Sequence, residues 1–229
     1  MSNLIASGCE NLSAMEVIGR VFQGHHGRAC FTCSFQLEDM IMLHLLRQQQ
    51  SDIPVLFLDT GYHFQEIYAY RDRMAREWKI NLINVMPLQT VLQQEEEFGI
   101  LYQNDPGKCC QRRKVWPLFQ ALRSYEIWFT GLRREQSPTR KDLSVIEQHQ
   151  LPQEKTLLKV NPLALWNWHQ VQEYAAAHSI APLSLYAAGY TSIGCEPCTA
   201  IPDAGAHPRF GRWGGAKLEC GIHTFTDRA

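Results

Sequence analysis

Nothing in this chain is long and apolar enough to cross a membrane: a run such as Ile41-Met42-Leu43-His44-Leu45-Leu46 is short and broken by a histidine. No charged-then-apolar leader opens it, so the sequence predicts a soluble, cytoplasmic protein with no membrane partner. An excess of either charge is also missing. With 22 Lys+Arg against 23 Asp+Glu, a net charge of −1 provides no global field to recruit nucleic acid, and any anion site must be local. There is no internal repeat and no low-complexity tract.

What is present is enough apolar sequence, 45% of 229 residues, to bury one core. Apolar β-rich runs at 29–35, 54–58, 82–86 and 126–132 alternate with segments of helical spacing, for example Leu37, Met40, Ile41, His44 and Leu45. Further strands are expected at 144–149 and 157–163, and a later helix through Leu165, Trp168, Val171, Tyr174 and Ala175. Such separations require crossovers, which predicts an α/β fold with a mainly parallel sheet flanked by helices and ligands at the strand ends. The reading is a single domain over residues 1–229, with an α/β core at 29–179. Past Ser179 periodicity fades into Gly, Pro, Cys and Arg, so 180–229 is expected to be an irregular functional segment laid over that core.

Eight cysteines in a chain without an export signal argue for reduced thiols, metal ligation or catalysis rather than a disulfide framework. Cys109-Cys110, the pair Cys195 and Cys198, and Cys220 stand in three short contexts. Four thiolates suit zinc or an iron–sulfur cluster, and a fifth is left to react. Adjacent helical side chains diverge by about 100°, so Cys109 and Cys110 can share one centre only where the backbone turns, which Gly107 permits. Cys30 and Cys33 also form a CxxC, but positions three apart on a strand face opposite sides, which predicts packing rather than a redox pair. Cys9 receives no role.

Three strand ends carry polar chemistry. Ser34, Phe35 and Gln36 lead into Glu38-Asp39 where a strand gives way to a helix, a place for phosphate or sulfate and equally for an ordinary Ser34 helix cap. Asp59-Thr60-Gly61 closes the second strand, as a ligand loop or a plain polar turn. Gly131-Leu132-Arg133-Arg134 ends another with two guanidinium forks suited to phosphate oxygens, although a solvated loop would also hold them. Recurrence of these signals after successive strands favours a nucleotide site. Trp166, Trp168 and His169 are read as helix packing and surface, and His25-His26 as an exposed turn.

Taken in order with Arg113-Lys114, Gly189-Tyr190-Thr191-Ser192-Ile193-Gly194-Cys195-Glu196-Pro197-Cys198 and Glu219-Cys220-Gly221-Ile222-His223, these motifs resemble the assimilatory adenosine 5′-phosphosulfate reductases, the iron–sulfur subgroup of the 3′-phosphoadenosine 5′-phosphosulfate reductase family. The resemblance runs from about Ala29 to His223. It implies an adenine-nucleotide hydrolase-like fold and thioredoxin-dependent reduction of adenosine 5′-phosphosulfate to sulfite and AMP, without flavin or nicotinamide. By the same resemblance, Cys109, Cys110, Cys195 and Cys198 would bind a [4Fe–4S] cluster, and Cys220 would be the nucleophile, forming an S-sulfocysteine. Lys114, Arg209, Arg212 and His223 would contact substrate, with His223 or the arginines lowering the pKa of the Cys220 thiol. Zinc remains the alternative for the four cysteines. The 3′-phosphorylated substrate remains the alternative nucleotide, and a non-catalytic nucleotide and redox sensor the alternative class. A homo-oligomer is compatible with the sequence, which does not specify one. Two positions depart from the family pattern: Gln36 stands where glycine often follows Ser-Phe, and Ala200 where relatives often carry arginine.

Overall fold

The computed structural model describes residues 8–152 and 154–223; residues 1–7, 153 and 224–229 of the expected single domain lie outside the described part. Helix α1 (Ala14–Gly24) begins at a reciprocal cap, in which the Ser13 amide donates to Glu16 Oε2 at 2.8 Å and the Glu16 amide to Ser13 Oγ at 3.3 Å. Its inward stripe, Val17, Ile18 and Val21, is fully buried.

Six strands follow, interleaved with helices: β1 (Ala29–Thr32), α2 (Leu37–Gln49), β2 (Val55–Leu58), α3 (Gln65–Glu77) and β3 (Leu82–Val85). Next come α4 (Val91–Phe98), α5 (Leu101–Asn104), α6 (Pro106–Cys110), a wide π-turn (Gln111–Val115) and α7 (Trp116–Leu122). The strands β4 (Ile127–Phe129), β5 (Ile146–Gln150) and β6 (Thr156–Val160) complete one sheet of order β3-β2-β1-β4-β6-β5. Every pairing is parallel except that of β5 with β6. All six expected strands are present, some shorter than their apolar runs. β1 stops at Thr32 because the chain turns over at Phe35, whose φ of 61° lies in the left-handed region.

Strand alternation divides the interior in two. Phe31, Cys33 and Phe129 face the core under α1, α2 and α3, while Cys30, Leu56 and Trp128 face the one under α7. Cys30 and Cys33 therefore lie on opposite faces, as the strand period requires. The chain builds outward from β1 through β2 to β3, then returns to add β4 on the other side. That reversal places the loops after β1 and β4 side by side at the carboxyl edge, where doubly wound sheets bind ligands.

After α8 (Trp168–Ala177), capped by Asn167, and the short α9 (Ser184–Ala187), the described residues form only single turns and two isolated bridges. One bridge pairs His63 with Cys195, and the Glu196 amide donates to the Tyr62 carbonyl at 2.7 Å. The irregular segment is thus laid across the ligand edge of the sheet. Among the described residues no helix is long and apolar enough to cross a membrane.

Candidate active site

A cleft of about 810 Å³ opens at the reversal point, and most of the expected substrate residues line it: Ser34, Gln36, Gly131, Arg133, Lys114, Arg209, Arg212 and His223, with Cys220. Its floor is the loop after β1. The amide and the hydroxyl of Ser34 both donate to Asp39 Oδ2, each at 2.6 Å. Gln36 donates to Ser34 Oγ at 2.9 Å and accepts from the Ile193 amide at 3.0 Å, so its side chain ties this loop to the C-terminal segment. Burial pushes the Asp39 carboxyl up to about 6 despite the two Ser34 donors. Gly131 touches that carboxylate so closely that a Cβ there would lie 2.2 Å from Asp39 Oδ1, which is the local need for glycine.

The two arginines after β4 part company. Arg133 is buried against Glu38 at 2.9 Å and Glu135 at 2.7 Å, with its guanidinium 5.6 Å from the Trp168 ring on the cleft wall. Arg134 turns away to the Leu143 carbonyl at 2.8 Å and to Glu10 at 2.7 Å, and does not line the cleft. Phe35 is likewise no cleft residue; it is fully buried against Phe57. Asp59, Thr60 and Gly61 also lie outside this cleft. Asp59 accepts from the Tyr68 hydroxyl at 2.7 Å and the Gly61 amide at 3.1 Å, shaping a turn rather than facing the cleft.

That turn serves a second, smaller pocket lined by Cys109, Cys110, Cys195 and Cys198 together with Tyr62, Arg113, Lys114 and Arg212. Thr60 Oγ1 lies 3.2 Å from Cys195 Sγ, and the Thr60 carbonyl accepts from Arg113 Nε at 2.5 Å. Gly61, at φ 73°, lets Arg113 and Val91 close over it. The adjacent cysteines end α6 where it loosens into the π-turn, whose wider winding carries Arg113 and Lys114 inward beside them. The Cys195 thiol is held below its ordinary pKa: burial opposes its ionisation, but Lys114, the Thr60 hydroxyl and Arg212 outweigh it. Burial and the neighbouring thiols push Cys109 up to about 12. None of these four cysteines forms a disulfide. Among the described residues no group of three or more His, Cys, Asp or Glu side chains is arranged to hold a single metal ion.

Lys114 and Arg212 line both pockets. Burial works against the Lys114 ammonium, yet Cys195, Cys220 and Cys110 around it keep its pKa above the ordinary lysine value. Arg212 is fixed by the carbonyls of Ile193 at 3.1 Å and Cys198 at 3.4 Å, and a Cβ on Gly194 would meet it at 1.9 Å. Cys220 belongs to the cleft alone. His223 stacks on Trp128 with ring centroids 5.4 Å apart. Burial, then Lys159 and Arg140, hold its pKa well below the usual histidine range. The imidazole is therefore neutral at pH 7 and does not supply the positive charge expected of it; the cations facing Cys220 are lysine and arginine.

Sequence reasoning missed Arg140 and Trp168, both on the cleft wall. Arg140 follows the Arg133-Arg134 run by six residues, and its proximity in sequence is the signal that could have marked it as a third basic residue. Trp168 was assigned to packing because the helical period placed it on α8, and position at a helix start is what turns it to the cleft.

Residues 28–201 match the phosphoadenosine phosphosulfate reductase domain family. The adenosine 5′-phosphosulfate reductase of Mycobacterium tuberculosis is 43% identical over 206 residues, covering 87% of this chain and 79% of that one. The fold is shared with the phosphoadenylyl-sulfate reductase of Candida auris, solved as a phosphate complex, at TM-score 0.72 and 22% identity over 86% of this chain and 95% of that one. It is shared more distantly with the FMN adenylyltransferase of Candida glabrata, at TM-score 0.59 and 15% identity over 91% and 77%. A cleft with clustered basic side chains at the sheet reversal, a cysteine-lined pocket beside it and this extent of identity lead to one conclusion: the chain belongs to the phosphoadenosine phosphosulfate reductase family.

Proposed function

We propose that this protein reduces adenosine 5′-phosphosulfate to sulfite and AMP in sulfate assimilation, with thioredoxin or a similar dithiol protein as reductant. The observation that supports this most is the pair Lys114 and Arg212, which forms the wall between the four-cysteine pocket and the cleft that Cys220 enters. Residues 29–179 would hold the nucleotide, and residues 180–229 would complete the cysteine set and bring the nucleophile. A reducing cytoplasm suits five unpaired functional thiols.

In this reading the Cys220 thiolate attacks the sulfate sulfur. The bond from sulfur to the bridging oxygen breaks, AMP leaves with that electron pair, and Cys220 carries the sulfonate. Lys114 and Arg212 stabilise the charge gathering on the leaving phosphate, with Arg209 beside them. A donor thiolate then attacks Cys220 Sγ and sulfite departs with the electron pair. The donor's second thiol resolves the mixed disulfide, so both electrons come from the dithiol.

The four-cysteine pocket fits a [4Fe–4S] cluster: one pocket gathers the thiols, no disulfide competes, and three cations, Arg113, Lys114 and Arg212, offset thiolate charge. A single zinc would need the four sulfurs drawn tightly round one point, which a larger polynuclear core does not. When bound, the cluster would supply a cross-link and a local field rather than reducing equivalents.

Anaerobic purification, a visible spectrum and sulfite release from each nucleotide with reduced thioredoxin test the proposal together. A brown protein that turns over adenosine 5′-phosphosulfate faster than its 3′-phosphorylated analogue is expected. Colourless protein with stoichiometric zinc would remove the cluster, equal rates would make the enzyme dual-specific, and full turnover by Cys220→Ser would remove the mechanism.

A further inference from the structure

The residue before the nucleophile is gripped from three sides. Glu219 accepts from Arg140 Nε and Nη2, each at 2.8 Å, and from the Thr139 hydroxyl at 2.9 Å. Arg209 Nη2 lies 3.5 Å from the same carboxylate, and the Arg209 guanidinium also donates to the Leu218 carbonyl, through Nε at 2.9 Å and through Nη2. The Glu219, Arg140 and Arg209 side chains are only 10–12% exposed. The Arg140 contact is bidentate, the geometry that fixes direction as well as charge. Burial would favour the neutral acid, but Arg140, Arg209 and Thr139 outweigh it and keep Glu219 ionised. Arg140 is itself braced, with Nη1 donating to Gln136 Oε1 at 2.5 Å, and Gln136 donates onward to Glu38, the partner of Arg133.

Two geometric facts then combine. Consecutive Cα atoms are about 3.8 Å apart, so a fixed Glu219 fixes the backbone of Cys220. Arg140 and Arg209 both line the cleft, whereas Glu219 does not, so the clasp draws two guanidinium groups partly away from any bound anion.

We infer that Glu219 is the positioning residue for Cys220: clasped by Arg140 and Arg209, it holds the nucleophile over the cleft before substrate arrives and restrains two cleft cations. The inference rests on the reading of Cys220 as nucleophile. It separates binding from chemistry. Removing the carboxylate charge loosens the tail and frees both arginines, so nucleotide affinity rises while sulfur transfer slows. A merely damaged fold would lower both.

The test uses the anaerobically purified, full-length protein and its Glu219→Gln, Glu219→Asp and Arg140→Lys variants. Three quantities are read: amide hydrogen exchange across residues 217–223, the Kd for AMP, and the single-turnover rate of sulfonate formation on Cys220 without reductant. In Glu219→Gln, exchange is expected to rise about tenfold, equivalent to about 1.4 kcal/mol; AMP binds several-fold more tightly and sulfonation falls about tenfold. Glu219→Asp should recover part of each change. Arg140→Lys, which keeps the charge but not the fork, should raise exchange without tightening AMP. Unchanged exchange and AMP affinity in Glu219→Gln, or affinity and sulfonation falling together, would overturn the inference. A wild-type adduct mapping to another cysteine would instead overturn the nucleophile, while exchange would still report on the clasp.

Discussion

Replacing Gly131 by alanine is the sharpest test of the cleft floor. The added carbon would lie 2.2 Å from Asp39 Oδ1 and 3.3 Å from the Asp39 amide nitrogen, so the carboxylate must retreat by about 1 Å to reach ordinary contact. It cannot do so and keep two hydrogen bonds of 2.6 Å to Ser34. Overpacking a core costs about 1–3 kcal/mol, and each hydrogen bond to a charged group is worth about 1.5–3 kcal/mol. With partial relaxation the net loss should be about 3 kcal/mol, or roughly 6–12 °C in Tm for a domain of this size. Because Ser34 and Gly131 both line the cleft, AMP affinity should fall together with Tm, by more than about tenfold, or 1.4 kcal/mol. Thermal melts and AMP titration read both quantities. Gly19→Ala on α1, where an added carbon meets nothing within 4 Å, is the control and should gain up to about 1 kcal/mol. Asp39→Ala in the Gly131→Ala background removes the clashing oxygen, so the two changes should cost less together than their sum. A Gly131→Ala protein with unaltered melting and AMP affinity would refute the account of this floor.

Gly194→Ala should displace the Arg212 guanidinium, which a Cβ would meet at 1.9 Å; sulfonation of Cys220 and retention of the visible chromophore should both fall, and a variant normal in both would contradict the shared-wall role of Arg212. Burial followed by Lys159 lowers His149 to about 4 from 6.5, so the native state prefers the neutral ring. Its contribution is fully present above pH 6.5 and is lost as pH falls toward 4, by about 3 kcal/mol. Asp39 acts in the opposite sense: its raised pKa makes the folded state gain stability as pH falls through about 6. Denaturant titrations of wild type and His149→Gln at several pH values isolate the histidine part, and parallel curves would disprove it. Burial raises the pKa of Cys30 and Cys33, so iodoacetamide followed by peptide mass spectrometry should label them only after unfolding. Labelling in the native protein would show the sheet to be more open than described.

The framework was legible because it depends on period and spacing. Long gaps between β-rich runs specify crossovers and hence a mainly parallel sheet, whereas the strand order, with β4 added beside β1 and β6 inserted between β4 and β5, is set by tertiary packing. The gathering of Cys109, Cys110, Cys195 and Cys198 in one pocket was legible from their paired spacing. Direction was not legible. Arg133 and Arg134 are neighbours, yet one faces Glu38 and the other Glu10, a difference set by a single extended residue at the end of β4's loop. Asp59 to Gly61 read as nucleotide contacts because they end a strand, but Tyr68, nine residues on, holds Asp59 in the turn, and Arg113, 53 residues from Thr60, ties it to the cysteine pocket. The neutrality of His223 depends on Trp128 and Lys159 beneath it, which no local motif records. Arg140 escaped notice because its partner, Glu219, is 79 positions away.

The wide turn over Gln111–Val115 has a consequence for how such a protein changes over time. Such a winding accommodates one residue more than an ordinary helix of equal span. Deleting one residue there would restore regular winding with α6 and α7 still in line, because the four residues left, at about 100° each, turn through nearly the same angle, and Leu118 and Phe119 would still anchor α7 on the sheet. Arg113 and Lys114, which the wide winding carries inward, would then lose their places beside the cysteines while the sheet stayed whole. These cationic neighbours of the four thiols thus lie a single codon from displacement in an otherwise intact sheet.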